Sequence, residues 1–146
     1  MAEEKNPAFG ILTQSVTDLS FENFVNLNFK PAEGEEPKMD IQVKVNTEKT
    51  KEDNVYSVAL GLKVSAKAGS ASIFLLELTY TGLFVLENFK DEVLAQILNI
   101  ECPRLLFPFA RAVVASTVAS GNMPMPLLPP IDFAELYFKS LQEKDQ

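Results

Sequence analysis

Histidine and tryptophan are absent from this 146-residue chain, and cysteine occurs once. Without histidine, the chain has no imidazole to act as a general base near neutral pH, and no Ser-His-Asp or Cys-His pair can form. It also offers no histidine ligand for a metal, and the single thiol of Cys102 cannot hold a structural zinc ion. Chemistry based on carboxylates or lysine stays open, but no spacing of residues indicates it. We therefore expect a protein without catalysis, bound metal or cofactor.

The lone cysteine and the polar N-terminus indicate where the chain works. Cys102 cannot form an intrachain disulfide, which fits a reducing compartment. The first residues, 1–7, are polar and lack the apolar core of a signal peptide, and no apolar run approaches the roughly 18–20 residues of a spanning helix. The formal net charge of −7 argues against nucleic acid as a partner. We expect a cytosolic protein with no nucleic-acid partner and no direct insertion into a membrane.

The length fits one domain over residues 1–146, with polar ends at 1–8 and 142–146 that we expect to be mobile. Alternating apolar and polar residues predict four strands, at about 9–22, 39–46, 55–68 and 71–84. A proline- and glycine-rich loop, residues 23–38, separates the first two strands, and short turns separate the others. The expected fold is α+β, a four-stranded antiparallel sheet with C-terminal helices packed on one face.

Three helices are expected after the sheet. A short one covers residues 91–98, and a long one begins near Pro103 and ends at Gly121, which we expect to adopt the left-handed conformation. Pro108 predicts a bend near Phe107. The third helix begins with a capping box, Asp132 with Glu135.

The long helix is apolar or small nearly all round, which is typical of a helix buried all round. Two interpretations stay open: a second subunit covers part of it, or it is the central helix of a monomeric core. A loop with methionines and leucines between prolines follows, residues 122–130. Flexible thioethers suit a surface that accepts varied partners, although such a loop can also lie over its own core.

Several motifs together resemble the SecB family of bacterial protein-export chaperones. They are Cys102-Pro103-x-x-Leu106-Phe107-Pro108-x-Ala110-Arg111, Val118-x-x-Gly121-x-x-Pro124, Leu128-x-Pro130-x-x-Phe133-x-x-Leu136, Asp18-Leu19-Ser20-Phe21-Glu22, and Phe74-Leu75-Leu76-Glu77-Leu78 with Gly82-x-Phe84. The resemblance runs in order from about Phe9 to Leu141. It implies a homotetramer built as a dimer of dimers that binds unfolded precursor proteins and delivers them to the ATPase SecA, without chemistry of its own.

The resemblance also implies three sets of site residues. A face that binds the zinc-bearing C-terminal tail of SecA would comprise Asp18, Glu22, Leu75 and Glu77. Unfolded clients would bind Met39, Ile41, Val43, Met123, Met125, Leu127, Leu128, Phe133 and Tyr137. Subunits would meet through Phe74, Leu76, Leu78, Ala112, Ala115, Ser116 and Ala119.

Two other interpretations of the function remain open. A SecB-like chaperone could protect an antitoxin instead, although the acidic face would then have no evident use. An enzyme or small-ligand protein would need a compact pocket with aimed polar groups, for which the sequence gives no sign. Some SecB relatives carry a tryptophan in the loop before the second strand and a longer C-terminal tail, and this chain has neither.

Overall fold

The computed structural model describes residues 6–25 and 37–144. Four antiparallel strands form one sheet in the order β1-β4-β3-β2. Their bounds are Ala8–Asn23 for β1, Lys38–Lys49 for β2, Val55–Ala68 for β3 and Ala71–Glu87 for β4. The predicted antiparallel sheet is confirmed, and β1 and β2 are its edges. Most of the expected loop at 23–38 lies outside the described residues.

Strand β1 contains two irregularities that the sequence pattern did not predict. Its register against β4 shifts between Ile11 and Thr13 and again between Val16 and Asp18. Residues two apart on a regular strand share a face, so each extra residue turns the following side chains to the opposite face. After the second shift, Asp18 pairs with Thr79 and Leu19 pairs with Leu78. The second shift therefore puts Asp18 on the face opposite to that of Val16.

The first two of the three expected helices form one continuous helix of 30 residues, Asp91–Ser120. It comprises α1 (Asp91–Gln96), a π-helical segment (Ile97–Glu101) and α2 (Cys102–Ser120). Pro103 lies in the first turn of α2 as predicted, but no break separates α2 from the helical residues before it. Pro103 has no N–H to donate to the preceding turn, and the wider π turn lies directly before it. The Asn99 side chain donates to the Ala95 carbonyl at 2.8 Å, which supplies one hydrogen bond in this turn.

The end of α2 also differs from the expectation. Gly121 has φ −86°, and the left-handed residue is Asn122 at φ 62°. A Cβ atom on Gly121 would lie 2.9 Å from two ring carbons of Phe21. Glycine is therefore required at this position by the close approach of β1 and not by its own backbone conformation.

The core lies between one face of the sheet and the continuous helix. We call this face the inner face and the opposite one the outer face. Leu60, Leu62, Leu76 and Leu78 on the inner face are at most 2% exposed. The helix buries a single stripe against them, comprising Cys102, Leu106, Ala110, Val114 and Val118. Its opposite side is left uncovered, which contradicts the interpretation of a central helix enclosed in a monomeric core.

Helix α3 (Phe133–Lys144) begins as predicted. The Glu135 backbone N–H donates to Asp132 Oδ1 at 3.0 Å, which is the hydrogen bond expected of an N-cap carboxylate. Phe133 is 1% exposed and its ring contacts that of Phe107, with centroids 6.1 Å apart. Residues 142–144 belong to α3 and not to a polar tail.

The continuity of the helix bears on the expectation about membranes. By length and composition, Asp91–Ser120 is apolar enough to cross a membrane, with a mean hydropathy of 1.2 over its most apolar 18-residue window. The core helix of a soluble protein passes the same test. Here one stripe of the helix packs on the sheet, as a core helix does.

Cys102 is expected to be unreactive in the folded protein. Burial, with a smaller contribution from the Glu101 carboxylate, raises the pKa of the Cys102 thiol to about 12. Since the thiolate is the reactive form, a disulfide reagent at about pH 8 should label the thiol only after unfolding. The raised pKa also contributes stability below an unfolded pKa of about 8.5, and that contribution is lost as the pH rises towards about 12.

The measurement is the rate of thiol release from a chromogenic disulfide, with and without denaturant. The Ser70→Cys variant provides the control, because Ser70 is exposed in the turn between β3 and β4 and its thiol should react at once. Rapid stoichiometric labelling of native Cys102 would contradict its burial.

Candidate functional site: an acidic sheet face and an apolar groove

The four residues expected to bind SecA lie together on the outer face of the sheet. Glu22 pairs with Leu75 and Ser20 pairs with Glu77 across β1 and β4, and Asp18 pairs with Thr79. Directly opposed residues of an antiparallel pair share a face, so these side chains form one patch. Asp18, Glu22 and Glu77 are exposed, and Leu75 is half-buried among them.

The bulge after Val16 is what brings Asp18 into this patch. Thr17, at the bulge, donates from its hydroxyl to the Thr79 carbonyl at 3.2 Å, and that hydroxyl lies 2.8 Å from the hydroxyl of Thr81. These contacts join the irregular part of β1 to β4. The sequence indicates this bulge by a break in the alternation of apolar residues. Val16 and Leu19 both belong to the inner face although they are three residues apart.

The sign of the charge on this part of the sheet is uniform. Neither β1 nor β4 contains a lysine or an arginine, whereas the outer face there carries Asp18, Glu22 and Glu77. We call these three residues with Leu75 the acidic patch. Uniform negative charge attracts a basic segment, and the apolar side chain of Leu75 at the centre gives that segment apolar area to bury.

The second surface is an open apolar groove between the end of β1, the start of β2 and the loop after α2. Its volume is about 570 Å³. It is lined by Asn23, Val25, Pro37, Lys38, Met39, Ala66, Ile73, Phe74, Val118, Gly121, Asn122, Met123, Pro124, Met125 and Pro126. Met39, Met123 and Met125 of the expected client residues meet here. Val25 and Ile73 also line the groove and were not predicted, since Val25 lies in the expected loop and Ile73 looks like an ordinary strand residue.

Ile41, Val43 and Tyr137 lie elsewhere and are half-buried. Ile41 and Val43 are on the inner face of β2. Val43 and Tyr137 line a second cavity of about 390 Å³, with α3 on one side and β2 on the other. Five of the expected client residues thus divide between two depressions, and Ile41 lines neither of them.

Two of the expected client residues need correction. Leu128 and Phe133 are each 1% exposed and belong to the core. The neighbouring Leu127 is 87% exposed and Met125 is 67% exposed. Leu128 anchors the loop while the methionine and leucine before it remain on the surface, so part of the loop lies over the core and part faces outward.

Three of the expected subunit-contact residues also need correction. Phe74, Leu76 and Leu78 are 5%, 0% and 2% exposed, because they face the helices of their own chain. Ala112, Ser116 and Ala119 are exposed and Ala115 is half-buried, so these four have surface left for a contact. Ile73, Leu75, Phe74 and Leu76 make the start of β4 apolar on both faces, so the sequence alone does not show which face its own helices cover.

An open apolar groove together with an acidic patch on the sheet is typical of a protein that binds other polypeptide chains. Within the described residues, no group of three histidine, cysteine, aspartate or glutamate side chains is placed to hold a metal ion.

Comparison with known proteins identifies the family. The SecB family model, described as preprotein translocase subunit SecB, matches residues 2–144. The chain is 40% identical over 142 residues to the protein-export protein SecB of Rhizorhabdus wittichii, covering 97% of this chain and 84% of that one. It is 41% identical to the protein of the same name from Zymomonas mobilis, covering 95% and 84% of the two chains. The chain belongs to the SecB family, which is a family of export chaperones and not of enzymes.

A solved structure has the same fold. It is the Mycobacterium tuberculosis SecB-like chaperone Rv1957 in complex with a peptide from the HigA1 antitoxin. The TM-score is 0.69 at 13% sequence identity, and the match covers 84% of this chain and 90% of that one. At this identity the likeness concerns the fold alone.

Proposed function

We propose that this chaperone binds unfolded segments of precursor proteins in the apolar groove, keeps them competent for export and delivers them to SecA. The observation that carries the proposal is the groove itself, with Met125 exposed on its wall and Leu127 beside it. Methionine adapts its shape to different apolar side chains, so this surface suits many sequences and not one ligand.

Strand β2 supports the same proposal. It is an edge strand, so one side of its backbone is free to pair with an extended client chain. Met39, the second residue of β2, lies at the groove, and Ile41 and Val43 continue along the inner face of the strand. Main-chain hydrogen bonds supply affinity that does not depend on client sequence, while the apolar side chains favour unfolded clients.

The acidic patch is the proposed docking face for the zinc-bearing C-terminal tail of SecA. The zinc would belong to that partner. Asp18, Glu22 and Glu77 would attract a basic tail and set its register, and Leu75 would bury apolar area beneath it. The antitoxin alternative is not favoured, since the relatives at about 40% identity are export proteins.

The proposed assembly is a homotetramer, a dimer of dimers, in the cytoplasm. The uncovered side of α2 supports this proposal, because Leu105 is 42% exposed and Phe109 is 50% exposed there. Ala112, Ser116 and Ala119 continue the same side and are small enough for another helix to approach closely. Exposed apolar area of this kind commonly marks a contact with another protein.

The test is native mass spectrometry of the protein with one precursor, presented once unfolded and once folded. We expect four subunits with one unfolded chain and no complex with the folded form. The Met125→Asp/Leu127→Asp variant should bind the unfolded chain about ten times more weakly, since it places two carboxylates in or beside the groove.

The control is Val93→Asp, which puts a carboxylate on another exposed apolar residue, 44% exposed on α1 and away from the groove. It should bind the client as the parent protein does. A monomer that binds neither form of the precursor would overturn the proposed function.

A further inference from the structure

The outer face of the sheet has two halves of different charge. The half made by β1 and β4 carries only carboxylates, as described above. On the other half, β2 and β3 place Lys44 and Lys63 on the same outer face. Both lysines are exposed. The outer face of β2 also carries Asp40 and Glu48, on either side of Lys44. A partner that crosses the sheet between them, over Lys44 and Lys63, therefore meets negative charge at one end and positive charge at the other.

The register places these charges in two neighbouring rows across the strands. One row runs Asp18, Thr79, Gly61, Lys44, and the next runs Ser20, Glu77, Lys63, Gln42. In each row the carboxylate lies towards β1 and the lysine towards β2. The alignment of these two rows gives the middle of the face a charge dipole at right angles to the strands. The dipole does not extend to the next row, Glu22, Leu75, Ser65, Asp40, which has a carboxylate at both ends.

A depression lies along the first row. A cavity of about 440 Å³ is lined by Asp18, Gln42, Val43, Lys44, Gly61, Leu62, Lys63, Glu77, Leu78 and Thr79. Its floor includes Gly61, at which an added Cβ would meet nothing closer than the Lys44 carbonyl oxygen at 3.6 Å. Packing therefore does not require a glycine here. The absence of a side chain leaves a path across the sheet between Asp18 and Lys44.

The opposite charges do not neutralise each other by direct contact. Glu77 and Lys63 are directly opposed on β4 and β3. Among residues 6–25 and 37–144, however, the ion pair that forms is Arg104 with Glu101, on the helix. The carboxylates and lysines of the outer face are left to interact with a partner.

We propose that the outer face prefers a partner segment that carries both signs of charge and lies across the strands. A cationic residue of the segment lies over Asp18 and Glu77, and an anionic residue lies over Lys44 and Lys63. The row from Asp18 to Lys44 spans three strand spacings of about 4.8 Å, or about 14 Å, which an extended chain covers in about four residues. This inference rests on the proposed docking role of the acidic patch and specifies which segments the patch accepts.

The test uses two fluorescent synthetic peptides of about 12 residues. The bipolar peptide has two lysines and two glutamates separated by four neutral residues, and the basic peptide has glutamine in place of each glutamate. At low ionic strength, about 50 mM, we expect the parent protein to bind the bipolar peptide about three to ten times more tightly, because exposed charge pairs make small contributions each. The readout is fluorescence anisotropy.

The Lys44→Glu/Lys63→Glu variant should lose this preference and bind the bipolar peptide more weakly than the parent does. The matched control is Lys49→Glu/Lys51→Glu, which changes the net charge equally at the exposed junction of β2 with the following turn. It should keep the preference. If the Lys44→Glu/Lys63→Glu variant binds both peptides more tightly, the two lysines only reduce the attraction of the acidic patch for basic segments, and the inference is overturned.

The Glu77→Lys variant separates this inference from the proposed function. A loss of binding to the basic peptide and to the SecA tail in Glu77→Lys, without any effect of the lysine substitutions, would leave the docking role intact and overturn the bipolar preference. Unchanged binding of the SecA tail in Glu77→Lys would overturn the docking role, and with it the inference. Far-ultraviolet circular dichroism of each variant checks that the sheet is retained.

Discussion

Replacing Phe84 by alanine is expected to lower the free energy of unfolding by about 3–5 kcal/mol. Phe84 is 0% exposed, and its ring lies over Gly82, where a Cβ atom would be 2.8 Å from Phe84 Cε2. Its ring centroid is 5.8 Å from that of Phe9, on the edge strand β1. The alanine variant loses the transfer energy of the ring and leaves a cavity between the sheet and the helix. The loss is a large part of the roughly 5–15 kcal/mol by which domains are stable.

Urea denaturation at fixed protein concentration measures this effect, because association would otherwise change the apparent stability. Phe9→Ala is the control. Phe9 forms the other side of the same aromatic contact but is 44% exposed. Its replacement by alanine should therefore lower the free energy of unfolding by under about 1.5 kcal/mol. Phe84→Leu keeps most of the volume and should fold even if the alanine variant does not. Equal losses for Phe84→Ala and Phe9→Ala would mean that Phe84 is not the ring that holds β1 on the core.

The strands were predictable because alternation is a local property. The bounds of β3 were obtained as Val55–Ala68, since its apolar side chains alternate without interruption. Alternation with Leu19 and Phe21 also puts Asp18 and Glu22 on one face, whereas their grouping with Leu75 and Glu77 was implied only by the resemblance to the SecB family. The bulge at Val16 was missed, although the change of parity between Val16 and Leu19 could have indicated it.

Burial was not predictable where neighbouring residues have the same chemistry. Leu127 and Leu128 are identical side chains in one loop, yet they are 87% and 1% exposed. The difference depends on where the loop crosses the core, which no local pattern records. The same limit applies to Phe133, which could line a groove or anchor a helix, and does the latter.

The continuity of the long helix was missed for a different reason. Proline is favoured at the first helical position, so Pro103 indicated a new helix. A π turn before the proline also accommodates the missing N–H, and it lets the helix continue. One consequence is that the apolar side of α2 belongs to a longer rigid element than expected.

Replacing Ala112 by glutamate is expected to convert the proposed four-subunit assembly into smaller species. Ala112 lies in the middle of an exposed stripe at helical spacing, comprising Leu105, Phe109, Ala112, Ser116 and Ala119. In a symmetric assembly the same stripe occurs in every subunit, so one substitution buries several carboxylates near each other. A buried carboxylate without a partner costs several kcal/mol, and about 4 kcal/mol already weakens association about a thousandfold.

Sedimentation equilibrium measures the assembly state, and Gln96→Glu is the matched control. Gln96 is exposed on α1 of the same continuous helix, so this variant introduces the same charge away from the stripe and should assemble as the parent does. Ala112→Glu leaves the buried stripe of α2, with Ala110 and Val114 at 0% exposure, untouched, so the subunit itself should stay folded. If Ala112→Glu keeps four subunits like the control, the stripe is not the contact, and the exposed apolar residues of β1, including Phe9 and Leu19, become the next surface to test.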